Sequence, residues 1–497
     1  MKKYYMGIDQ GTTGTRTLLF DRAWNVIASG YEALPVISEK KGWAEHQVED
    51  IWRSVLGSTA KAMKAANAET DSILSIGINH EGESVIVWDS RTGEPVYPCI
   101  VWQDKRNVRE IEEIAWQYND QVKEKTGLMV DTYFSAAKYA WIMAHVPKAK
   151  ELMEENRLMA GTLDTWLIWK MSHCRVYVTE PSTASRTLLY NVKEKKWDDE
   201  LAEIFGLQAD VLPEICNSAQ IYGETDPLDF LGIQAPIAGI LVDQQAALIG
   251  QGCIHPGMIK TTYGTGCFML MNTGNVCVDS QYGLLPTVAW QVNGNTTYAL
   301  DGGVYTTGAA TKWLSDSLQI MESPKDSEAL AKSIPDNGGL YFVPAFNGLA
   351  APHWDSYASG MMIGINTHTT RAHVVRAALE ATAYQVNDVL ASMAGDTSIP
   401  ITVMRCNGAA TQNSFLMQFQ SDILGIPLEL PVIEESTAFG AAFMGAVGIG
   451  DYDSLQAIEE FWQVRKVYEP SMPADERDAL VYEWHRSVQR AKFWIET

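Results

Sequence analysis

Apolar residues recur along the chain in short runs that stop at polar, glycine-rich corners, and the first corner sets the pattern. Tyr4 to Ile8 reads as a strand, Asp9-Gln10-Gly11-Thr12-Thr13-Gly14-Thr15-Arg16 as a turn, and Thr17 to Phe20 as the returning strand. The glycines permit a turn whose backbone N–H groups converge on an anion, the threonine hydroxyls add donors, and Arg16 offsets phosphate charge. Asp9, at the tip of an apolar strand, suits Mg²⁺ held through a water. A single copy of such a hairpin would be unremarkable. A second copy follows at Met258 to Tyr263, Gly264-Thr265-Gly266 and Cys267 to Leu270. Two phosphate hairpins roughly 250 residues apart predict two similar half-proteins facing one nucleotide.

Between the hairpins, Val26 to Ser29 continues the strand pattern. Trp52, Val55, Leu56, Ala60, Met63 and Ala66 then mark one face of a helix, with His46 as a hydrogen-bonding residue at its entry. The strand Ile73 to Ile78 delivers Asn79-His80-Glu81-Gly82-Glu83-Ser84 to its end, where α/β proteins bind ligands. Pro98 to Val101 ends in Trp102, and Tyr133 stands at a helix entry. Thr162 to Trp169 reads as an amphipathic helix, and Thr183 to Thr187 as a polar turn before the strand Leu188 to Tyr190. The buried strand Pro236 to Val242 stops at Asp243-Gln244-Gln245. A carboxylate there suits general-base work or a helix N-cap, two roles that compete for the same oxygens. Farther on, Arg371 to Ala391 is an amphipathic helix and Ile401 to Met404 the last clear core strand. The turn Asn407-Gly408-Ala409-Ala410 allows close approach to adenine or ribose, and the C-terminal helix with Trp484 and Trp494 reads as structural.

The chain's 497 residues suggest two domains, and 46% hydrophobic with 20% charged residues is the balance of a globular protein. A net charge of −23 disfavours nucleic acid and anionic lipid. Seven scattered cysteines without a C-x-x-C pair indicate neither a disulfide framework nor a zinc site, which fits the cytoplasm. The apolar run after Lys2 and Lys3 meets Asp9 too soon for a signal peptide, and no run is long enough for membrane insertion. No Gly-Lys dipeptide occurs, so a Walker A loop is absent, and Gly11 and Gly14 do not continue into G-x-G-x-x-G.

The paired hairpins are similar to those of the actin-like ATPases, and further stretches narrow the resemblance. These are Ile100-Val-Trp102-Gln103, Tyr133-Phe-Ser135 with Lys138 and Trp141, Ala184-Ser-Arg186-Thr187, Asp243-Gln-Gln-Ala-Ala-Leu248, Thr262 to Asn272, and Phe415 to Asp422. With them the chain resembles the glycerol kinases of the FGGY carbohydrate kinase family. The resemblance implies an α/β fold of two actin-like (ribonuclease H-like) domains, residues 1–250 and 251–497, with a nucleotide cleft between them. It implies ATP and Mg²⁺, a small polyol or sugar substrate, and room for a homo-oligomer. Asp243 would be the base and, with Asp9, lie near the metal. Gly82, Glu83, Trp102, Tyr133, Gln244 and Phe268, beside Asp243, would form the polyol pocket. Thr12, Thr13, Gly14, Arg16, Thr265, Gly308, Lys312, Ala409 and Asn413 would contact the nucleotide.

Three departures qualify this. Glycerol kinases carry an arginine immediately before the pocket glutamate, where this chain has Gly82. Losing that hydrogen bond is worth roughly 1.5 to 3 kcal/mol unless another donor replaces it, and Gly82 is expected to open space for a longer polyol or a ketose. Lys312 stands where glutamine is usual, and Asn407-Gly408-Ala409 replaces an acidic-Gly-Gly turn. The expected activity is ATP-dependent phosphorylation of a terminal hydroxyl on glycerol or a close relative. A non-catalytic actin-like ATP-binding protein is the alternative of another class; it would not need Glu83, Trp102 and Tyr133 beside Asp243.

Overall fold

The structure, a computed structural model, describes residues 3–495; Lys2 lies outside them. Each half of the chain is built around one large mixed sheet, and the N-terminal half adds a four-stranded antiparallel sheet. The N-terminal half contributes β1 (Tyr4–Gly11), β2 (Gly14–Phe20), β3 (Val26–Ala33), β4 (Ile73–His80), β5 (Ala219–Glu224) and β6 (Pro236–Val242) in the order β5-β6-β4-β1-β2-β3. The first three strands form an antiparallel meander, β4 and β6 run parallel to β1, and β5 closes the edge antiparallel to β6. Every residue of β4 is buried, as an apolar run covered on both faces requires.

The C-terminal half contributes β7 (Met258–Tyr263), β8 (Cys267–Gly274), β9 (Leu285–Val292), β10 (Asn295–Val304), β11 (Val403–Asn407), β12 (Leu428–Pro431) and β13 (Val464–Tyr468). Their order is β9-β10-β8-β7-β11-β12-β13. Apart from β9, added at one edge, the plan is that of the first sheet: antiparallel neighbours on one side of the first strand, parallel strands on the other. The repetition visible in the two hairpins therefore extends to the sheets behind them.

Two helices join the halves. Helix Asp243–Gly250 follows β6 directly. Helix Ser436–Gly448, from the C-terminal half, lies on the first sheet through Phe439 and Phe443 and through glycines that bring backbones together. A Cβ on Gly7 or Gly77 would overlap the carbonyls of Ala438 or Ala441, and one on Gly239 would lie 2.5 Å from the Gly445 nitrogen.

Several local expectations need correcting. Ile401 to Met404 is not the last core strand: β11 starts at Val403, and β12 and β13 follow. Four of the five β13 residues are exposed, so that edge has no apolar run to read. The helix expected over Thr162 to Trp169 spans Leu163–Met171 and is buried on every side except Lys170, so it is not amphipathic. It accommodates its buried Asp164 with hydroxyls of Thr162 at 2.5 Å and Thr179 at 2.6 Å. Of the strand expected over Leu188 to Tyr190, only Tyr190 is paired, opposite Trp197. Trp494 lies beyond the C-terminal helix Ala474–Ala491 and is exposed. Among the described residues no helix is long and apolar enough to cross a membrane.

Candidate active site

β4 and β6 are adjacent and parallel, with Val242 opposite His80, so they end at one edge of the sheet. That edge receives Glu81, Gly82 and Glu83 from one strand and Asp243 from the other, at the carboxyl ends of parallel strands. Asp243 is the first residue of its helix, after an N-cap residue, Val242, that makes no side-chain cap. Its Oδ1 accepts from the Gln244 N–H at 2.6 Å, while Oδ2 has no hydrogen bond among the described residues. One carboxylate oxygen is thus engaged at the helix start, and the other is left without a hydrogen bond among the described residues.

Gly82, Glu83, Trp102, Tyr133, Asp243, Gln244 and Phe268 line one cavity of about 90 Å³, and Thr12 of the first hairpin joins them. Trp102 and Tyr133 meet edge to face, ring centroids 5.8 Å apart at 86°, giving the cavity an aromatic wall. The Trp102 indole N–H donates to Thr12 Oγ1 at 2.9 Å, and that hydroxyl donates to Glu81. Thr12 therefore ties the hairpin to the cavity wall with its side chain. Gln244 Oε1 accepts from Lys260, a fully buried lysine on β7.

Contrary to the expectation, Gly82 does not open space. A Cβ there would lie 2.8 Å from Val242 Cγ1 and 3.0 Å from Cγ2, because the branched side chain of Val242 already fills that volume.

The site concentrates negative charge. Burial raises the Asp9 carboxyl to about 7, with Asp243 and Glu435 adding to the rise and Arg16 opposing it. Burial likewise raises Asp243, followed by Glu83, while Lys260 pulls it down. Burial also brings Glu81 to about 7. Half-buried carboxylates in one another's field are relieved by a cation, so the donor set of Asp9 and Asp243 fits a hard, oxygen-seeking divalent ion.

Several of the remaining expected residues lie at or beside the hairpin tips. Thr12 and Thr13 form the first tip and Gly14 starts the returning strand; the Thr13 carbonyl accepts from Leu34 N and Tyr31 Oη. Arg16 pairs with Glu435 at 3.3 Å, bridging to the C-terminal half. Thr265 is exposed on the second tip, and its carbonyl accepts from Thr307 N and Ala309 N, each at 3.1 Å. Gly308 N donates to the Gly264 carbonyl at 3.2 Å, and a Cβ on Gly308 would press on that oxygen. Lys312 is exposed one turn along the same helix, Gly308–Asp316. Gly408, at φ +98°, packs on the Tyr263 backbone and leaves Ala409 exposed. Asn413 is separately engaged: its Oδ1 caps helix Ser414–Leu424 by accepting from Leu416 N at 3.0 Å, and its Nδ2 donates to Ser327.

Sequence reasoning missed three cavity residues of consequence, Arg186, Asp301 and Val242, and gave Glu81 no role of its own within the strand-end stretch. Arg186 Nε donates to Glu83 Oε1 at 2.7 Å, and Nη1 lies 3.3 Å from Asp301 Oδ2. Burial opposes the arginine's charge, but Glu83, Tyr133 and Asp301 keep it protonated. The available signal was a carboxylate at the end of an apolar run in Ala299-Leu-Asp301-Gly-Gly303.

Two repeated sheets, each with a glycine-rich hairpin, and a polar cavity between them define a two-domain actin-like phosphotransferase. Comparison with known proteins narrows this. The model of the FGGY family of carbohydrate kinases, N-terminal domain, matches residues 4–250, and that of the C-terminal domain matches residues 259–449. A glycerol kinase of Carboxydothermus hydrogenoformans is 46% identical over 494 residues, 99% of each chain. A glycerol kinase of Petrotoga mobilis is 45% identical over 497 residues, the whole of both chains. The crystal structure of Plasmodium falciparum glycerol kinase with ADP superposes with a TM-score of 0.93 at 33% identity, covering 98% of each chain. The chain belongs to the FGGY family of carbohydrate kinases and is a carbohydrate or polyol kinase.

Proposed function

We propose that this kinase transfers the γ-phosphoryl group of ATP to a terminal hydroxyl of glycerol. The observation that carries the reading is the cavity, which Asp243, with one carboxylate oxygen free of hydrogen bonds among the described residues, lines together with Glu83 and an aromatic wall. Asp243 accepts the hydroxyl proton as the oxygen attacks the γ-phosphorus, and the bond to the β-phosphate oxygen breaks to leave ADP. Glu83 and Gln244 bind hydroxyls, Trp102, Tyr133 and Phe268 cover C–H faces, and closure of the halves excludes water. Thr12, Thr13, Gly14 and Arg16 on one side, with Thr265, Gly308, Lys312, Ala409 and Asn413 on the other, hold the nucleotide. Asp9 and Asp243 would hold Mg²⁺, which when bound offsets charge on the phosphate oxygens. The small cavity and the space filled by Val242 favour a three-carbon polyol over a longer polyol or a ketose.

An ATP-coupled activity screen across glycerol, dihydroxyacetone, tetritols, pentitols and ketoses tests the reading. Glycerol is expected to give the highest kcat/KM, and a longer substrate that outperforms it would overturn the assignment.

The base also predicts a pH profile. In the metal-free protein burial and Glu83 raise Asp243, so its ionisation, followed by pH titration without Mg²⁺, should give an acid limb above the ordinary carboxylate value of about 4. Lys260 acts in the opposite direction, so Lys260→Met should move the limb to higher pH. An unmoved limb in the variant would show that the ammonium does not act on Asp243.

A further inference from the structure

Gly82 deprives the cavity of a guanidinium at the end of β4, yet a guanidinium is present on the opposite wall. Arg186 follows the short helix Pro181–Ala184, whose start is fixed by Glu180 accepting from Ser182 N at 2.8 Å and Thr183 N at 2.7 Å. The Ser182 hydroxyl in turn accepts from Val242 N at 3.1 Å. The segment that presents Arg186 is therefore bonded to the residue that fills the space beside Gly82. Arg186 is 3% exposed, lines the cavity, and lies with its guanidinium 5.5 Å from the centroids of the Tyr133 and Phe134 rings. Its Nε is spent on Glu83, but its buried Nη1 has no hydrogen-bond partner; Asp301 is near enough for an ion pair without the alignment of a hydrogen bond. A buried guanidinium nitrogen that has an ion-pair partner but no aligned acceptor leaves a hydrogen bond incomplete, which a ligand atom can supply.

We propose that Arg186 Nη1 donates to a hydroxyl of the bound polyol, replacing the guanidinium that Gly82 lacks, and that Gly82 and Val242 are complementary parts of this rearranged wall. The proposal rests on the polyol kinase reading given above. Arg186 Nε holds Glu83 as an acceptor while Nη1 supplies a donor beside it. That pair matches adjacent hydroxyls, each of which donates and accepts, and it selects against analogues lacking one of them.

The test pairs enzyme and substrate deletions. Wild type and Arg186→Gln are assayed with glycerol, with propylene glycol, which lacks one terminal hydroxyl, and with trimethylene glycol, which lacks the central one. In wild type, removing the hydroxyl that Arg186 meets should lower kcat/KM by about ten- to a hundredfold. In the variant, glycerol should lose a similar factor, chiefly through KM, while that analogue falls to no such extent, so discrimination between the two collapses. The KM for ATP should stay within about twofold. A variant that loses the same factor on all three substrates, or keeps wild-type discrimination, would show that Arg186 acts only by supporting Glu83 and would overturn the proposal. Arg186→Lys provides a second reading if the glutamine variant does not fold, since it keeps a charge beside Glu83 but lacks the fork; it should show the same collapse. Finally, Gly82→Arg with Val242→Gly in the Arg186→Gln background should recover glycerol KM, whereas Gly82→Arg alone should not. A wild-type enzyme inactive on all three polyols would overturn the function reading itself, a result distinct from unaltered discrimination by an active one.

Discussion

Asp243→Asn is expected to lower turnover about a thousandfold, because the amide keeps the shape of the carboxylate but cannot take the substrate proton. Geometry supports so large an effect. Only one carboxylate oxygen is committed to the helix start, and Asp243 lines the cavity, so the loss falls on the uncommitted oxygen. Binding of ADP, measured by calorimetry without added metal, should change by less than about threefold, since the base meets the acceptor rather than the purine. The variant should also be as stable as the parent or more so. Burial and Glu83 raise the Asp243 carboxyl, so its ionised form opposes folding at neutral pH, and a neutral amide removes that penalty. A variant that retains more than a few per cent of wild-type turnover would exclude Asp243 as the base. A large fall in thermal midpoint would instead assign the lost activity to damaged structure.

Those parts of the site written in one stretch of chain were legible before the fold was known. The first hairpin is an example: Gly11 and Gly14 face each other across a two-residue tip, and Asp9 pairs with Arg16, all within one local motif. Asp243 was legible for the same reason, as a carboxylate at the end of an apolar run. The rest depends on elements distant in sequence. Gly82 alone reads as open space, and only the pairing of β4 with β6 brings Val242 into it. Arg186 sits in what reads as a polar turn, and its partners Glu83 and Asp301 come from opposite halves of the chain. Periodicity misled where burial was complete. Leu163–Met171 carries a polar Asp164 that suggests a solvent face, but neighbouring hydroxyls satisfy it inside the core. Ser436–Gly448, apolar on all sides and rich in small residues, carries no local mark of which sheet it covers.

The last of these helices supports a second large effect. Helix Ser436–Gly448 crosses helix Asp243–Gly250 where Gly440 meets Ala246 and Gly250, and this crossing is among the links between the halves. A Cβ on Gly440 would overlap the Ala246 carbonyl oxygen and sit 2.8 Å from the Gly250 nitrogen. Both obstacles are backbone, so no side chain can rotate away, and the helices must move apart. Gly440→Val is therefore expected to cost about 3 kcal/mol or more, the upper range for overpacking a close contact, read as a lower urea midpoint. Because Asp243 begins one of the two helices, separating them also displaces Asp243, the proposed base, relative to the second hairpin. Gly440→Ala, with the smaller intrusion, should stay folded but raise the KM values for ATP and polyol together and lower kcat, as a change in domain closure does. A Gly440→Val protein within about 0.5 kcal/mol of wild type, the range of an ordinary surface substitution, would mean that the helices do not make this backbone contact in solution. Normal kinetics in Gly440→Ala would show that the crossing holds the halves together without taking part in closure.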